Sequence, residues 1–295
     1  GKERKPLTYT SIFNLFNDFK YLIPQGSVMS NLGTKNQFSS LSNCVVVPDV
    51  FDSYGGILFT DQQLAQLFKR RCGVGLDISG LRPIYEEVRN SAKTTSGAVS
   101  FMERFSNTTR EVAQQGRRGA LMITMDVRHP EILEFIHSKK ELNKITGANI
   151  SVKITNDFMR SVRENNSFVL QWPVDAIDPK LKREVKAKDI WDQIIISAHG
   201  SGEPGVLFWD QQHAYSTSSI YPQYKNTSTN PCSEIAMQGG DSCRLMAINL
   251  YSFVESPFRK TAKFNFEKLY KVAYEGMRLM DNLVDLELEH ITTIL

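Results

Sequence analysis

"LMITMDVRHPEILEFIHSKK", residues 121–140, decides the fold class. Its first six residues are apolar or β-branched up to an aspartate, which predicts a buried strand. Pro130 then opens a segment with apolar residues at helical spacing that ends on two lysines. Proline's fixed φ suits a first helical turn, and cations suit a helix C-terminus. A strand that runs straight into a helix is half of a βαβ unit.

The same alternation extends in both directions. Further strands are expected at 44–48 ("CVVVP"), 74–78 ("VGLDI"), 149–154 ("NISVKI") and 206–210 ("VLFWD"). Helices are expected between them. "TDQQLAQLFKRR" opens on Thr60 as its N-cap, and "SGAVSFMERFSNTTREVAQQ" carries a helical apolar stripe. "TNDFMRSVREN" begins on a Thr or Asn cap, and "KDIWDQIIISAHG" ends on a glycine suited to a C-cap. Five strand–helix repeats argue for an α/β fold of parallel βα units. A sixth strand, "RLMAINLYSFV" (244–254), and a long amphipathic helix from 265 to 291 follow.

Composition narrows the function class. The chain has 295 residues, 41% hydrophobic and 23% charged, which describes an ordinary globular protein. A net charge of +3 without a basic run does not argue for nucleic acid. No apolar run approaches the roughly 20 residues that span a bilayer, and the first ten residues lack the apolar core of a signal peptide. Four cysteines in so long a chain do not resemble a secreted disulfide scaffold. A reduced, cytoplasmic setting is expected.

Those cysteines are Cys44, Cys72, Cys232 and Cys243. Their positions lack the spacing of a zinc site, so no metal is expected. Cys232 lies in "NPCSEIAMQGGDSC" (230–243), between Asn230 and Glu234 at two-residue steps. In an extended segment those three side chains would share one edge, about 6.6 Å apart per step. Pro231 disfavours a helix there, so the stretch reads as a loop. A nearby carboxylate raises a thiol's pKa, and no histidine lies in the stretch to act as base. The thiol therefore suits donation of a proton or hydrogen atom better than thiolate attack. Cys44 and Cys243 each border an apolar run. If those runs pair as strands, a reversible disulfide fits their spacing; two unrelated buried thiols are the alternative.

"NPCSEI", with one cysteine far upstream before a strand and another shortly after, resembles the catalytic subunit of ribonucleotide reductase. Further landmarks follow in the same order: "LIPQGSVMSNLGT", "LSNCVVVPD", "RRCGVGLDISGLRP", "SGAVSFMERF", "QQGRRGALMITMDVRHPEILEFI" and "NISVKITNDFMRSV". "GRRGALM" and "NISVKIT" are most similar to the adenosylcobalamin-dependent branch.

The resemblance implies the first half of a ten-stranded α/β barrel, with a finger loop at 226–243 and the first strand of the second half. Residues 1–43 would be a lead-in segment and 44–295 a partial barrel domain. Cys232 would become a thiyl radical that takes the 3′ hydrogen of a ribonucleotide. Glu234 would take the 3′-hydroxyl proton, Asn230 would bind the ribose hydroxyls, and Cys44 and Cys243 would be the redox pair. Ser27 and Asn43 would contact substrate. Asp52, Ser53 and Arg82 would belong to a dNTP or ATP effector site. Gln114, Arg117, Arg118 and Gly119 would form the loop relaying effector identity. Implied cofactors and partners are adenosylcobalamin, an external dithiol of the thioredoxin kind and, at full length, a second copy in a homodimer. Two other readings stay open at this point. The radical could come from a separate metal-containing subunit, or the chain could be a non-catalytic effector-binding and dimerisation fragment. The phosphate-binding strands of the second half-barrel are not found after residue 254, so the chain is expected to be a fragment, inactive alone.

Overall fold

The computed structural model describes residues 6–34, 40–112, 119–141 and 143–294. Gln114, Arg117 and Arg118 lie outside them. Two compact units are present: residues 44–242 form one, and residues 1–43 with 243–295 form the other.

In the second of these, α1 (Tyr9–Phe16) starts on a capping box in which Thr8 and Ser11 exchange side-chain and backbone hydrogen bonds. Strand β1 (Leu22–Pro24) and the short helix α2 (Gly26–Asn31) follow. Strand β1 pairs antiparallel with Met246–Ile248, Leu22 opposite Ile248. The expected strand over 244–254 is thus only three residues long, because the chain turns into a 3-10 helix at Leu250–Phe253. Leu22, Phe253 and Val272 form a small core there. Val272 belongs to the long terminal helix, which runs Phe266–Ile294.

The larger unit holds the main sheet. Its strands are β2 (Cys44–Val46), β3 (Gly73–Asp77), β4 (Leu121–Asp126) and β5 (Asn149–Ile154). Connecting helices are α3 (Tyr54–Phe68), α4 (Met102–Glu111), α5 (Ile132–His137) and α6 (Asn156–Glu164). A hairpin of β6 (Ser167–Trp172) and β7 (Leu181–Lys186), then α7 (Ala187–Ser201), leads to β8 (Gly205–Phe208). Strands β2, β3, β4, β5 and β8 lie side by side in that order, every pair parallel. All five expected strands are present. Helix α8 (Trp209–Tyr215) follows, and β9 (Asn226–Thr229) and β10 (Ala236–Gln238) form a second hairpin.

Strand alternation gives the sheet two unlike faces. Val74, Leu76, Ile123, Met125, Ile150 and Val152 join the main core with helix residues such as Phe68, Phe105, Phe135 and Phe158. Each fully buried phenylalanine contributes about 1.5–3 kcal/mol. The opposite face carries Gly73, Gly75, Asp77, Thr124, Asp126, Ser151 and Lys153, and hairpin β9–β10 lies against it. A Cβ on Gly75 would stand 1.8 Å from the Thr229 carbonyl oxygen, and one on Gly73 would stand 2.9 Å from the Pro231 ring. The glycines open the lane that β9 occupies.

Several helix boundaries differ from expectation: α5 leaves Pro130 and the two lysines outside it, and α4 begins at Met102 rather than near Ser96. Ser53, not Thr60, caps α3 by accepting from the Gly56 N–H. The helix runs through two glycines because Ile57, Thr60, Leu64 and Phe68 form one buried face. Helix α7 continues past Gly200 to Gly202, whose φ of 80° supplies the left-handed cap. Hairpin β6–β7 was not expected from sequence; most of β7 is exposed, so "LKREVK" carries little apolar signal.

Glu131 ties α5 to the start of α4. It is buried, and its Oε2 accepts from the Ala98 N–H at 2.7 Å. Burial pushes its carboxyl up to about 7, against the Ala98 hydrogen bond and with help from nearby Glu134.

Two outcomes follow. Gly75→Ala forces a backbone carbonyl aside and costs at least about 1–3 kcal/mol in urea denaturation. Gly80→Ala, whose Cβ meets nothing closer than 3.7 Å, stays within about 1 kcal/mol of the parent. For Glu131, a carboxyl whose folded pKa is raised destabilises the fold as it ionises. Its contribution is therefore lost as pH climbs from about 4.5 to about 7, by no more than about 3 kcal/mol. Urea denaturation of Glu131→Gln across that window should show a flatter pH dependence than the parent; a constant offset between the two would contradict the assignment.

Candidate functional site

The tip between β9 and β10 is a tight turn. The Ser233 N–H donates to the Asn230 carbonyl at 3.0 Å, and the Asn230 N–H donates to the Ile235 carbonyl at 3.2 Å. The Asn230 side chain closes the turn from within, its Oδ1 accepting from the Ile235 N–H at 3.1 Å. Ser233 sits at φ 72°, in the left-handed region. From the sheet, Asn149 Nδ2 donates to the Pro231 carbonyl at 3.2 Å. Asn149 stands at the start of β5, so the tip lies over the N-terminal ends of the parallel strands.

This turn changes the expected geometry of Asn230, Cys232 and Glu234. They do not alternate along an extended edge. Asn230 is fully buried, whereas Cys232 and Glu234 are exposed on the tip. Pro231 and the Asn230–Ser233 hydrogen bond curl the chain, so the two-residue period of a strand does not apply. The Asn230 amide faces inward, with Nδ2 4.0 Å from the Cys44 sulfur. Cys44 is itself buried, at the first position of β2. Asn230 thus links the hairpin tip to the buried cysteine, and the exposed thiol of Cys232 is reachable from outside.

The remaining candidates fall into two groups. In the smaller unit, the Ser27 N–H donates to Asn43 Oδ1 at 2.5 Å, both residues buried. Gly26, at φ 52°, leaves room for that amide, since a Cβ there would stand 1.8 Å from Asn43 Oδ1. Asn43 Nδ2 is buried with no hydrogen-bond partner, a donor available to a ligand. The Asn43 N–H donates to the Cys243 carbonyl at 2.8 Å; Cys243 is half-buried. Nearby, Glu287 accepts from the Leu41 N–H at 3.0 Å and the Ser42 hydroxyl at 3.3 Å, and it also binds Ser40 and Arg244. Burial works against its charge, but Ser40 and Arg244 hold its carboxyl below the ordinary range. One carboxylate therefore fixes the segment before Cys44 and the residue after Cys243. Sequence reading missed Glu287, which is nearly 250 positions from Ser40 and carries no local signal.

In the larger unit, Asp52, Ser53 and Arg82 come together. Asp52 accepts from the Arg82 N–H at 3.1 Å and from its Nε at 2.7 Å, and Arg82 Nη1 donates to the Glu87 carbonyl. They line a cleft of about 960 Å³ with Arg89, Asn90 and Lys180. Lys180, from the β6–β7 hairpin, was also missed. Gly119 packs elsewhere: its Cβ would stand 2.8 Å from the Phe68 ring. Cys72 is buried. His129 is buried, donating from Nε2 to the Leu81 carbonyl because Nδ1 accepts from the Glu131 N–H. Among the described residues, no group of three His, Cys, Asp or Glu could hold a metal ion, and no helix is long and apolar enough to cross a membrane.

Comparison with known proteins bears on the same elements. The chain is 35% identical over 268 residues to a vitamin B12-dependent ribonucleoside-diphosphate reductase of Thermoplasma acidophilum, covering 89% of this chain and 33% of that protein. It is 31% identical over 265 residues to a reductase of the same description from Mycobacterium tuberculosis, covering 89% and 36%. A vitamin B12-dependent ribonucleotide reductase of Streptomyces coelicolor is 29% identical over 279 residues, covering 86% and 28%. The chain thus spans about a third of the length of these relatives. Residues 42–294 match the family model described as ribonucleotide reductase, barrel domain. That match takes in the parallel sheet, the hairpin laid across it and the long last helix, and on it the chain belongs to the ribonucleotide reductase barrel-domain family.

Proposed function

We propose that this chain carries the thiyl-radical chemistry that reduces ribonucleotides to 2′-deoxyribonucleotides, as part of a larger catalytic subunit. The observation that carries the reading is the hairpin tip: an exposed Cys232 thiol with buried Asn230 behind it, and the Asn230 amide 4.0 Å from the Cys44 sulfur. A ten-stranded barrel, of which the five parallel strands form half, belongs to the same proposal.

The Cys232 thiyl takes the 3′ hydrogen atom of the ribose, forming S–H and leaving a carbon radical. Glu234 accepts the 3′-hydroxyl proton, and its exposure on the tip suits a group that meets an incoming substrate. The 2′ hydroxyl leaves as water after protonation by the dithiol of Cys44 and Cys243. The second hydrogen of that dithiol goes to the 2′ carbon as the pair, giving up two electrons in all, closes to a disulfide. Glu234 returns the proton to the 3′ oxygen, and Cys232 gives its hydrogen back to the 3′ carbon and is again a thiyl. Asn230 orients the ribose hydroxyls, and Ser27 with the unpartnered Asn43 amide binds another part of the substrate. An external dithiol of the thioredoxin kind resets the disulfide.

Adenosylcobalamin fits this scheme, because an exposed thiol is accessible to a group that approaches from outside the hairpin. When bound, it supplies the initial radical. The names of the three relatives support it over a separate radical-bearing subunit. The cleft of Asp52, Ser53 and Arg82 suits a dNTP or ATP effector: Arg89 and Lys180 offer cations for phosphate beside the carboxylates of Glu86 and Glu87, and the Arg82–Asp52 pair gives a fixed wall.

The test is turnover. The full-length protein should convert a ribonucleoside di- or triphosphate to its deoxy form with adenosylcobalamin and a dithiol. Cys232→Ser should bind nucleotide normally yet lose turnover by at least about 10⁴-fold. Turnover that needs a metal-containing partner instead of the cobalamin would reassign the radical source. Full activity in Cys232→Ser would end the proposal.

A further inference from the structure

The hairpin that presents Cys232 is held at its far end by buried charge. Strand β9 runs antiparallel to the sheet strands beneath it, so its root at Asn226–Ser228 lies over their C-terminal ends. There Lys153 Nζ stands 2.8 Å from Asp77 Oδ2, both side chains at 10% exposure or less. The same ammonium donates to the Thr227 carbonyl at 3.3 Å and sits 4.8 Å from the Trp209 ring centroid. Asp77 Oδ2 also accepts from the Thr124 hydroxyl at 2.7 Å. The Thr124 and Ser228 hydroxyls lie 2.9 Å apart, and each also stands 3.2 Å from the Leu76 carbonyl oxygen. Ser228, Thr229 and Asn230 are completely buried.

A second tie runs outside the first. Arg128 grips Asp126 with two nitrogens, at 2.9 and 2.7 Å, and reaches Asp175 at 2.9 Å. Lys225, the residue before β9, contacts the other Asp175 oxygen at 3.2 Å. Burial opposes the Lys153 charge, yet Asp77 and Asp126 hold its ammonium above the ordinary lysine range. Chemistry at the tip uses none of these groups.

We infer that Lys153 and Asp77, acting through the Thr227 carbonyl and the Thr124–Ser228 hydroxyls, are positioning residues that set where the Cys232 thiol stands. A buried ion pair is a poor source of net stability against apolar residues of the same size, but breaking one side of it is costly. Here both partners reach the same short strand, and where that strand crosses β3 the sheet offers glycines at 73 and 75, with Asp77 as the side chain at the root. Polar contacts at the root therefore carry the register that packing would otherwise fix. The functional side of this inference rests on Cys232 being the hydrogen-abstracting thiol; the structural side does not.

The experiment compares Lys153→Met and Ser228→Ala with the parent protein. Ser228→Ala removes the hydroxyl relay without stranding a charge, and it serves if Lys153→Met does not fold. Hydrogen exchange by mass spectrometry should show amides 227–235 exchanging at least about tenfold faster, with β4 and β5 still protected. Iodoacetamide should label Cys232 at a rate changed at least about threefold. Turnover should fall with KM for the nucleotide unchanged. If protection drops evenly over the whole unit, or residues 227–235 and Cys232 labelling stay at parent values, the inference is overturned. A parent protein without reductase turnover would refute the proposed function and leave the exchange and labelling results to decide this one.

Discussion

A strand's backbone can approach a sheet to within contact distance only where the position beneath it carries no side chain. Strand β3 meets that condition with Gly73 and Gly75, and the Thr229 carbonyl occupies the space a single methyl group would fill. The rest of the larger unit follows from this close approach. The helix-covered face can be uniformly apolar, because helices bring their own side chains to fill the gaps. The hairpin-covered face cannot, because β9 arrives with backbone polar groups that need partners. Lys153 reaches the Thr227 carbonyl and Asn149 the Pro231 carbonyl, while Thr124 meets the Ser228 hydroxyl.

The hairpin consequently has two ends of different character. At the root, Lys153, Asp77 and the Thr124 and Ser228 hydroxyls are buried and in contact with one another, an arrangement that tolerates little displacement. At the tip, the chain turns through a proline and a left-handed serine, and its thiol faces outward. Between the ends there is one strand of four residues, too short to absorb a shift. A rigid arm with an exposed reactive end suits chemistry that must be repeated at one place without collapsing into the interior.

Much of this was legible in the sequence. The five parallel strands announced themselves as short apolar runs between helical patterns, and β4 and β5 lie where they were expected, at 121–126 and 149–154. Alternation within those runs also encodes the two faces, since "NISVKI" places Asn149, Ser151 and Lys153 on one side. What was lost depended on distant partners or local turns. Strand β7 is polar because most of it is exposed, so no apolar run marked it. The two-residue spacing of Asn230, Cys232 and Glu234 suggested a shared edge, but a turn hydrogen bond at Ser233 overrides strand geometry. Glu287 is invisible to any local pattern, because its partners are residues 40–42 and Arg244.

The hydrogen bond from the Asn43 N–H to the Cys243 carbonyl has a topological consequence. The two ends of residues 44–242 are neighbours, since Val46 also exchanges backbone hydrogen bonds with Gly240 and Asp241. Such a stretch can be circularly permuted, with its old ends ligated by a few residues and new ones opened in an exposed connection.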